Sequence, residues 1–328
     1  MDTRSLHLLA AAEGPNLRAA ATAASEGMFD ELPMPRSVVI VVNEARARIA
    51  ARATVSLATD ARAPITVARS LPSFVGTLDL VIVLTDDPGD EYCGFALAEA
   101  GRRGASTVLV DPGDGPVRAA MSYDTVLVPR PAMSEVGSFS GYLGTCLAAL
   151  TCAGVSSIAP ARVLSDVADT VELESVACSP ERDRTVNPAW ELSRWMRDRS
   201  VIIAGDGGSW APIAELCTAW LLDCGRAALA TELSDVLRAG PALTSAAPDI
   251  FHDPMFDDPV GSSGVLPLGT IVLTSPARFS SVESQAEFLP WMRVECPALE
   301  GQVDHPLVHV CVTAARMAAA AVFVTEED

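Results

Sequence analysis

Four residues that could bind an anion lie in one short turn. Gly205, Gly207, Gly208 and Ser209 stand between a strand-like apolar run and a helix-like segment. The backbone N–H groups of such a turn and the positive end of the helix dipole can hold a phosphate, and Ser209 adds a hydroxyl. The turn could therefore bind a phosphate or a sugar phosphate, although a plain tight strand-to-helix turn is slightly favoured.

Two neighbours in the same turn limit which anion it could hold. The sixth position of a dinucleotide-binding turn requires a small residue, and here that residue is Trp210. Asp206 would repel a phosphate unless its side chain points away from it. The sequence therefore disfavours NAD, and we predict no cofactor.

A second turn, from Thr85 to Glu91, is strongly acidic and follows an apolar strand-like segment. In α/β proteins, ligands bind at the carboxyl ends of such strands. Thr85 offers a hydroxyl, whereas Asp87 and Asp90 suit a hard cation or the hydroxyls of a neutral sugar better than a phosphate. An acidic helix entrance that complements the helix dipole is favoured over such a site.

The histidines do not follow a known metal motif. His305 and His309 are one helical turn apart, but the glutamate of zinc peptidases is missing between them, which favours a structural or surface role. His252 lies among three aspartates, a pattern that favours a solvated acidic loop over a metal-dependent lid. We predict no metal site.

Charge and composition exclude several classes of function. The formal net charge is −19, and all 23 basic residues are arginines. Such an acidic surface repels nucleic-acid backbones and anionic membranes, so we predict neither as a partner. The absence of lysine also excludes Schiff-base chemistry and a lysine base.

Cysteine usage and hydropathy indicate the compartment. The eight cysteines include no C-x-x-C pair, which is typical of buried free thiols in a reducing environment. The start of the chain lacks a secretory signal pattern, and the longest late apolar run, 317–324, is too short to span a membrane. The sequence predicts a soluble, cytoplasmic protein.

Alternating strand-like and helix-like segments must position the two turns. In the first half, strands are predicted at 37–42, 64–70, 78–86, 106–112 and 124–130, with helices at 44–58 and 92–104. After a linker-like stretch at 155–187, strands are predicted at 200–208 and 269–276, with helices at 188–199, 210–224, 281–292 and 305–324. Short turns between such elements favour parallel sheets covered on both faces. We predict an α/β protein with two domains, residues 1–155 and 156–328.

Two segments resemble the sugar isomerase (SIS) superfamily. They are LPSFVGTLDLVIVLTDDPGDEYCGFALAEAGRRGA at 71–105 and NPAWELSRWMRDRSVIIAGDGGSWAPIAELCTAW at 187–220. Within that superfamily the chain is similar to the bifunctional phosphoglucose/phosphomannose isomerases, and its DDPGD turn resembles a divergent, TobH-like branch. The resemblance implies two SIS-type domains (flavodoxin-like, three layers around a parallel sheet), a sugar-6-phosphate ligand and a homodimer. We expect Ala-rich helix faces at 314–321 to supply contacts between the two copies.

The resemblance also implies an activity, aldose–ketose isomerisation through a cis-enediol. A carboxylate base moves a proton between C1 and C2 in this reaction, with a histidine and a lysine assisting. The family's glutamate falls near Asp223 if a gap is allowed, its arginine falls on Arg130, and His252 is a distant substitute for its histidine. The lysine is absent from the chain.

The family's binding turns are altered as well. Its first glycine-rich turn falls on 42–46, which contains no glycine, and its phosphate loop falls on Thr85 to Glu91. There Asp87 and Asp90 replace hydroxyl residues, and two carboxylates beside a phosphate cost on the order of several kcal/mol. We therefore expect no phosphate at this loop unless the carboxylates turn outward or hold a cation.

Three functions fit these residues. The favoured one is a sugar-phosphate-binding protein on the isomerase fold that has lost catalysis. The alternative is an active isomerase of glucose-6-phosphate and mannose-6-phosphate that uses Asp223, His252 and Arg130, and the third is an unrelated, metal-dependent activity. We expect the two domains to meet at a cleft bordered by 85–91, Arg130 and 205–209.

Overall fold

The computed structural model describes residues 2–131, 137–244, 266–287, 289–297 and 305–326. It contains two parallel β-sheets, one in each half of the chain. The strands of the first sheet are β1 (Ser37–Val42), β2 (Ile65–Ala68), β3 (Asp79–Leu84), β4 (Ser106–Val110) and β5 (Val126–Val128). The strands of the second are β6 (Ser200–Gly205), β7 (Ala228–Glu232), β8 (Leu268–Leu273) and β9 (Met292–Glu295).

Helices cover both sheets and join the two halves. Those of the first half are α1 (Thr3–Ala11), α2 (Glu13–Ser25), α3 (Ala45–Leu57), α4 (Glu91–Arg102), α5 (Pro116–Ala119) and α6 (Phe139–Cys152). Those of the second half are α7 (Ala161–Ala177), α8 (Pro188–Arg197), α9 (Ala211–Asp223), α10 (Leu233–Thr244), α11 (Pro276–Ala286) and α12 (Pro306–Phe323). The predicted boundary between residues 155 and 156 lies in the connection from α6 to α7.

The two sheets repeat one topology. The first has the strand order β2-β1-β3-β4-β5, which is the flavodoxin-like order, and the second has the order β7-β6-β8-β9. All the strand pairs of both sheets are parallel. The predicted α/β class with two parallel-sheet units is therefore confirmed.

The sequence of the central strands explains their position. β1 (SVVIVV) and β3 (DLVIVL) are buried along their whole length, because each has a neighbour on both edges and helices above and below. The strands at the edges, β2 and β5, are only partly buried. β6 takes the same central place in the second sheet and is buried from Val201 to Gly205.

The two halves share one hydrophobic core, which contains residues from both sheets. Helix α3 of the first half packs against α9 of the second, and two ion pairs show that these helices run antiparallel. Arg46 pairs with Asp223 near one end, and Arg52 pairs with Glu215 nearer the other. Within the predicted linker-like stretch at 155–187, residues 161–177 form α7, which packs on α2 and α12.

Helix α12 is long and apolar enough, by length and composition, to cross a membrane. This apolar segment is longer than the apolar run at 317–324, which by itself is too short to span a membrane. However, 89% of the helix window is buried inside the protein, so α12 is a core helix. The Ala-rich faces at 314–321 pack inside the chain and do not supply a contact between two copies.

The cysteines follow the sequence prediction. All eight lie in the described residues as free thiols, and most are buried. Burial raises the pKa of Cys146 and Cys311 to about 12, so both stay protonated at neutral pH.

Candidate functional site

Strand order marks one candidate ligand crevice in each sheet. In such α/β sheets the crevice lies at the carboxyl ends of the two strands where the order reverses. These strands are β1 and β3 in the first sheet, which pair as far as Val42 and Leu84. In the second sheet they are β6 and β8, which pair as far as Gly205 and Leu273. We call these places the first crevice (residues 43–44 and 85–90) and the second crevice (residues 205–210 and 274–277).

The first crevice is filled by a side chain of the protein itself. Glu44 follows β1, and its Oε1 accepts hydrogen bonds from the Thr85 hydroxyl (2.8 Å) and the backbone amides of Asp86 (2.8 Å) and Asp87 (3.2 Å). These are the donors that a phosphate would need at the end of β3. Glu44 therefore occupies the position of an anionic ligand.

Two aspartates engage the remaining donors of this loop. Asp87 accepts from the amide of Gly89 at 2.8 Å. Asp90 is the N-cap of α4, and its Oδ1 accepts from the amides of Tyr92 (2.9 Å) and Cys93 (3.0 Å). The helix end that would attract an anion is thus satisfied from within. Asp87 and Asp90 hold donors of their own loop.

Asp86 and Arg130 form the far wall of the first crevice. Asp86 Oδ1 accepts from the Gly137 amide (2.6 Å), from the Tyr142 hydroxyl and from Arg130 Nη1 (3.3 Å). Burial raises the pKa of Tyr142 well above its usual range, and the Asp86 carboxylate raises it further. Tyr142 therefore stays protonated at any ordinary pH and donates a hydrogen bond to Asp86.

Electrostatics at Glu44 follow from its surroundings. Burial raises the pKa of this carboxyl group, and the nearby Asp86 carboxylate raises it further. The hydrogen bonds from the loop act in the opposite direction and are outweighed. Burial and Asp86 thus disfavour the charged form of Glu44, and the close donors of the loop favour it.

The second crevice is an open cleft of about 630 Å³. It is lined by the glycine-rich turn, the start of α11 and the start of α12, that is by Asp206, Gly207, Gly208, Ser209, Trp210, Ser275, Pro276, Ala277, Pro306, His309 and Val310. The volume lies within the usual range for sites that bind small molecules.

Asp206 is turned to partners on the neighbouring strand and helix. Its carboxylate accepts from the Thr274 hydroxyl (2.7 Å) and takes two hydrogen bonds from Arg278, at 2.6 and 2.8 Å. Burial, the largest influence, raises the pKa of Asp206, but Arg278 and Thr274 together outweigh it and lower that pKa. The Asp206 carboxylate, whose charge would repel a phosphate, is therefore paired with Arg278.

Several donors of the second crevice are left for a ligand. The amides of Gly207, Gly208 and Ser209 and the hydroxyls of Ser209 and Ser275 donate no hydrogen bond within the described residues. Neither α9 nor α11 has a side-chain cap at its N-terminus. Gly207 has a φ of 92°, which a residue with a side chain adopts only with strain. Two helix dipoles thus reach this cleft at their positive ends.

The predicted single cleft is wrong, because the two crevices lie at opposite ends of α9. This helix begins at the second crevice, and its last residue, Asp223, pairs with Arg46, two residues beyond Glu44 of the first. A helix of 13 residues is about 20 Å long. The site at 205–209 therefore does not border the one at 85–91.

The predicted site residues consequently fall into two groups. Thr85, Asp87, Asp90 and Arg130 come together at the first crevice, with Asp223 close by through Arg46. Gly205, Gly207, Gly208 and Ser209 form the second crevice. The guanidinium of Arg46 also lies 4.0 Å above the ring of Trp220, so Asp223 belongs to an ion pair that links α3 and α9.

The histidines separate in the same way. His309 is buried and lines the second crevice, a position that its sequence context did not reveal. The His305 side chain accepts from the Leu307 amide (3.2 Å) and so caps α12. His252 lies outside the described residues. Among those described, no group of three or more His, Cys, Asp or Glu side chains could hold a metal ion.

Sequence reasoning missed the partners that decide both crevices. The sequence pattern places Glu44 only in a turn without glycine, and it predicts no role for Asp86, Tyr142, Thr274 or Arg278. One signal was present, since Glu44 lies just beyond the buried central strand β1, where a ligand would be expected. The others come from distant parts of the chain and have no local signature.

Comparison with known proteins identifies the fold. No family model and no curated protein matches the chain. A tagatose-6-phosphate ketose/aldose isomerase from Escherichia coli has a similar structure, with a TM-score of 0.61, 12% identity and coverage of 94% of this chain and 90% of that one. The C-terminal domain of glucosamine-fructose-6-phosphate aminotransferase from Francisella tularensis gives a TM-score of 0.62, 10% identity and coverage of 99% and 97%. The chain therefore has the two-sheet fold of the SIS phosphosugar isomerases.

Proposed function

We propose that this protein binds a sugar phosphate in the second crevice and does not catalyse its isomerisation. The observation that carries the proposal is the set of unused donors on the turn at 207–209. They lie beside two uncapped helix N-termini in a cleft of about 630 Å³. A phosphate group needs this combination of backbone amides, hydroxyls and helix dipoles.

The walls of the cleft suit the rest of a sugar phosphate. Trp210 and Val310 are largely buried and give the cleft part of its apolar lining. Ser275 and His309 supply polar groups for sugar hydroxyls. A ligand would thus place its phosphate at the turn and its ring toward α12.

Loss of catalysis is the second part of the proposal. Of the three residues predicted for it, Asp223 and Arg130 lie near the first crevice, about one helix length from the open cleft, and His252 lies outside the described residues. Asp223 is paired with Arg46, and the chain contains no lysine to assist ring opening. Within the SIS fold, the resemblance supports assignment to the bifunctional phosphoglucose/phosphomannose isomerases and to their TobH-like branch.

Other expectations accompany this proposal. A net charge of −19 disfavours nucleic acid and anionic membranes as partners, and the free thiols fit a cytoplasmic location. We infer that the protein forms a homodimer. The outer face of α7 supports this inference, because Leu173 and Val176 are 61% and 64% exposed there and offer apolar surface to a second copy.

Calorimetric titration with glucose-6-phosphate, mannose-6-phosphate and fructose-6-phosphate tests the binding site. We expect at least one of them to bind, whereas glucose, mannose and fructose without phosphate do not. Ser209→Asp places a carboxylate where the phosphate would lie and should weaken binding about 10- to 100-fold. Ser209→Ala removes only one neutral hydrogen bond and should weaken it by about fivefold or less.

The outcomes separate clearly. Binding that is unchanged in Ser209→Asp contradicts a site at the second crevice. Absence of binding by all three sugar phosphates contradicts the proposed function itself.

A further inference from the structure

The first crevice contains a ligand-like contact that belongs to the chain. One oxygen of Glu44 accepts from three donors, and these donors lie 41 to 43 residues further along the sequence, at the end of β3. Convergence of a hydroxyl and two amides on one anionic oxygen is typical of an oxyanion bound to a loop. Here the oxyanion is a side chain from the turn after β1.

This contact differs from an ordinary helix cap. Asp90 caps α4 from within its own turn, as N-cap residues do. Glu44 instead reaches across the place where the strand order reverses and joins the ends of two neighbouring central strands. It therefore fills the space in which this kind of sheet binds its ligands.

We propose that Glu44 is an internal ligand that closes the first crevice to free anions, so that only the second crevice is available to a phosphate. The statement that the protein has a single phosphate site rests on the proposed function, since it assumes that the second crevice binds a phosphate. The closure itself rests only on the contacts of Glu44. It explains how one chain with two crevices of the same topology binds a single anionic ligand.

The surroundings define which free anion could replace Glu44. Asp86, Asp87 and Asp90 stay at the crevice when Glu44 is removed, and each keeps its own donors. Their negative charges disfavour a dianion, whereas a small monoanion needs only the three donors that Glu44 leaves. Formate carries the same carboxylate group as Glu44 and is smaller than the part of the side chain that is removed.

Rescue of a Glu44→Ala variant by sodium formate tests the proposal. We expect the variant to unfold at a lower temperature than the unmodified protein in sodium chloride. In sodium formate of equal ionic strength its midpoint should rise by about 2–5 °C, because formate binds only the folded state. Sodium phosphate at the same ionic strength should raise the midpoint less.

Two control variants each remove one negative charge, as Glu44→Ala does. Glu44→Gln keeps an oxygen that can accept the same hydrogen bonds, so it should not respond to formate, and neither should the unmodified protein. Glu91→Ala removes an exposed carboxylate from the start of α4 and should not create a response either. A midpoint of Glu44→Ala that shifts no more than those of these controls overturns the proposal.

If Glu44→Ala does not fold in chloride, its refolding in formate still tests the proposal. Refolding in formate but not in chloride supports the internal ligand. If the variant refolds in neither salt, Glu44→Asp decides, because its shorter side chain does not reach all three donors. A formate response of Glu44→Asp above that of the unmodified protein supports the proposal, and an equal response overturns it.

A double variant separates this inference from the proposed function. Glu44→Ala combined with Ser209→Asp should keep its full response to formate, because Ser209 lies at the other end of α9. Sugar-phosphate binding by the unmodified protein is measured independently. Formate rescue without sugar-phosphate binding would leave the closure intact and reject the proposed function.

Discussion

The two crevices share one strand order and differ in what their hydrogen-bond donors contact. At the first, the donors at the end of β3 and the start of α4 are taken by carboxylates, namely Glu44, Asp87 and Asp90. At the second, Asp206 is turned to Arg278 and Thr274, and the amides of the glycine-rich turn face a cleft. The same topology thus carries one closed place and one open place.

This difference teaches that strand order locates a binding place but does not make it competent. Competence depends on whether a negatively charged side chain meets the donors or meets a cation. Asp206 has Arg278 as its partner. Glu44 has only neutral donors on its bound oxygen, so it competes directly with a phosphate for them.

The largest expected effect concerns catalysis. We expect isomerisation of glucose-6-phosphate or mannose-6-phosphate to be absent or at least roughly a thousandfold slower than in an active relative. A single positioned acid–base group contributes about 10²- to 10⁴-fold, and the chain has no lysine. A coupled assay that follows fructose-6-phosphate measures this.

Asp223→Asn is the matched variant for that assay and should not change the background rate. If the unmodified protein turns these sugars over at an ordinary enzyme rate and Asp223→Asn does not, the roles of the two crevices are reversed. The first crevice would then be the active one, with Asp223 as its base.

A medium effect is expected from Gly205 in the second crevice. A Cβ on Gly205 would lie 2.6 Å from the backbone carbonyl carbon of Trp210 and 2.7 Å from the amide nitrogen of Ala211, so the start of α9 must shift. We expect Gly205→Ala to lower the free energy of unfolding by about 1–3 kcal/mol in urea denaturation.

Gly208→Ala is the control for this variant, since no atom lies within 4 Å of its added Cβ. We expect a change of about 0.5 kcal/mol or less. Equal destabilisation by the two variants would contradict the close approach of strand β6 and helix α9 at Gly205.

The smallest effect distinguishes the half-buried carboxyl groups of Glu44 and Asp206 by pH. The pKa of Glu44 is raised above its ordinary value of 4.5, so its contribution to stability is complete below pH 4.5 and is lost as pH rises through the folded pKa. The pKa of Asp206 is lowered below 3.8, so its contribution is complete above pH 3.8 and is lost as pH falls through the folded pKa.

Urea denaturation of Glu44→Gln and Asp206→Asn over a range of pH measures the two contributions. Relative to Glu44→Gln, the unmodified protein should lose stability as pH rises above 4.5. Relative to Asp206→Asn, it should lose stability as pH falls below 3.8. If the stability difference changes with pH in the same direction for both pairs, the proposed electrostatic difference between the crevices is contradicted.

Most of the framework was predictable from local sequence. The run SVVIVV predicted β1 with its correct bounds, and Asn187 followed by Pro188 predicted the start of α8, where the Asn187 side chain caps the helix. Helix α11 begins earlier than the predicted helix at 281–292, because Ser275 and Pro276 start it at the end of the predicted strand 269–276. Strand β9 begins at the last residue of that predicted helix and has no predicted counterpart, since a short edge strand has little periodicity of its own.

The sequence by itself determined which groups are available. It established two turns at strand ends, an excess of carboxylates, the absence of lysine and the α/β pattern that brings strand ends to one edge. It could not show the state of either crevice, because each state depends on a pairing between distant residues. Glu44 meets Asp86 across 42 residues, and Asp206 meets Arg278 across 72.

Only the tertiary structure decided which carboxylate meets which donor. Local propensity controls whether a residue enters a strand or a helix, but the order of strands controls which turns become neighbours. The order β2-β1-β3 brings Glu44 to the donors of the loop after β3, and the order β7-β6-β8 brings Asp206 to Thr274. Hydrogen bonds and ion pairs act over a few ångströms, so this adjacency determines which crevice is closed and which is open.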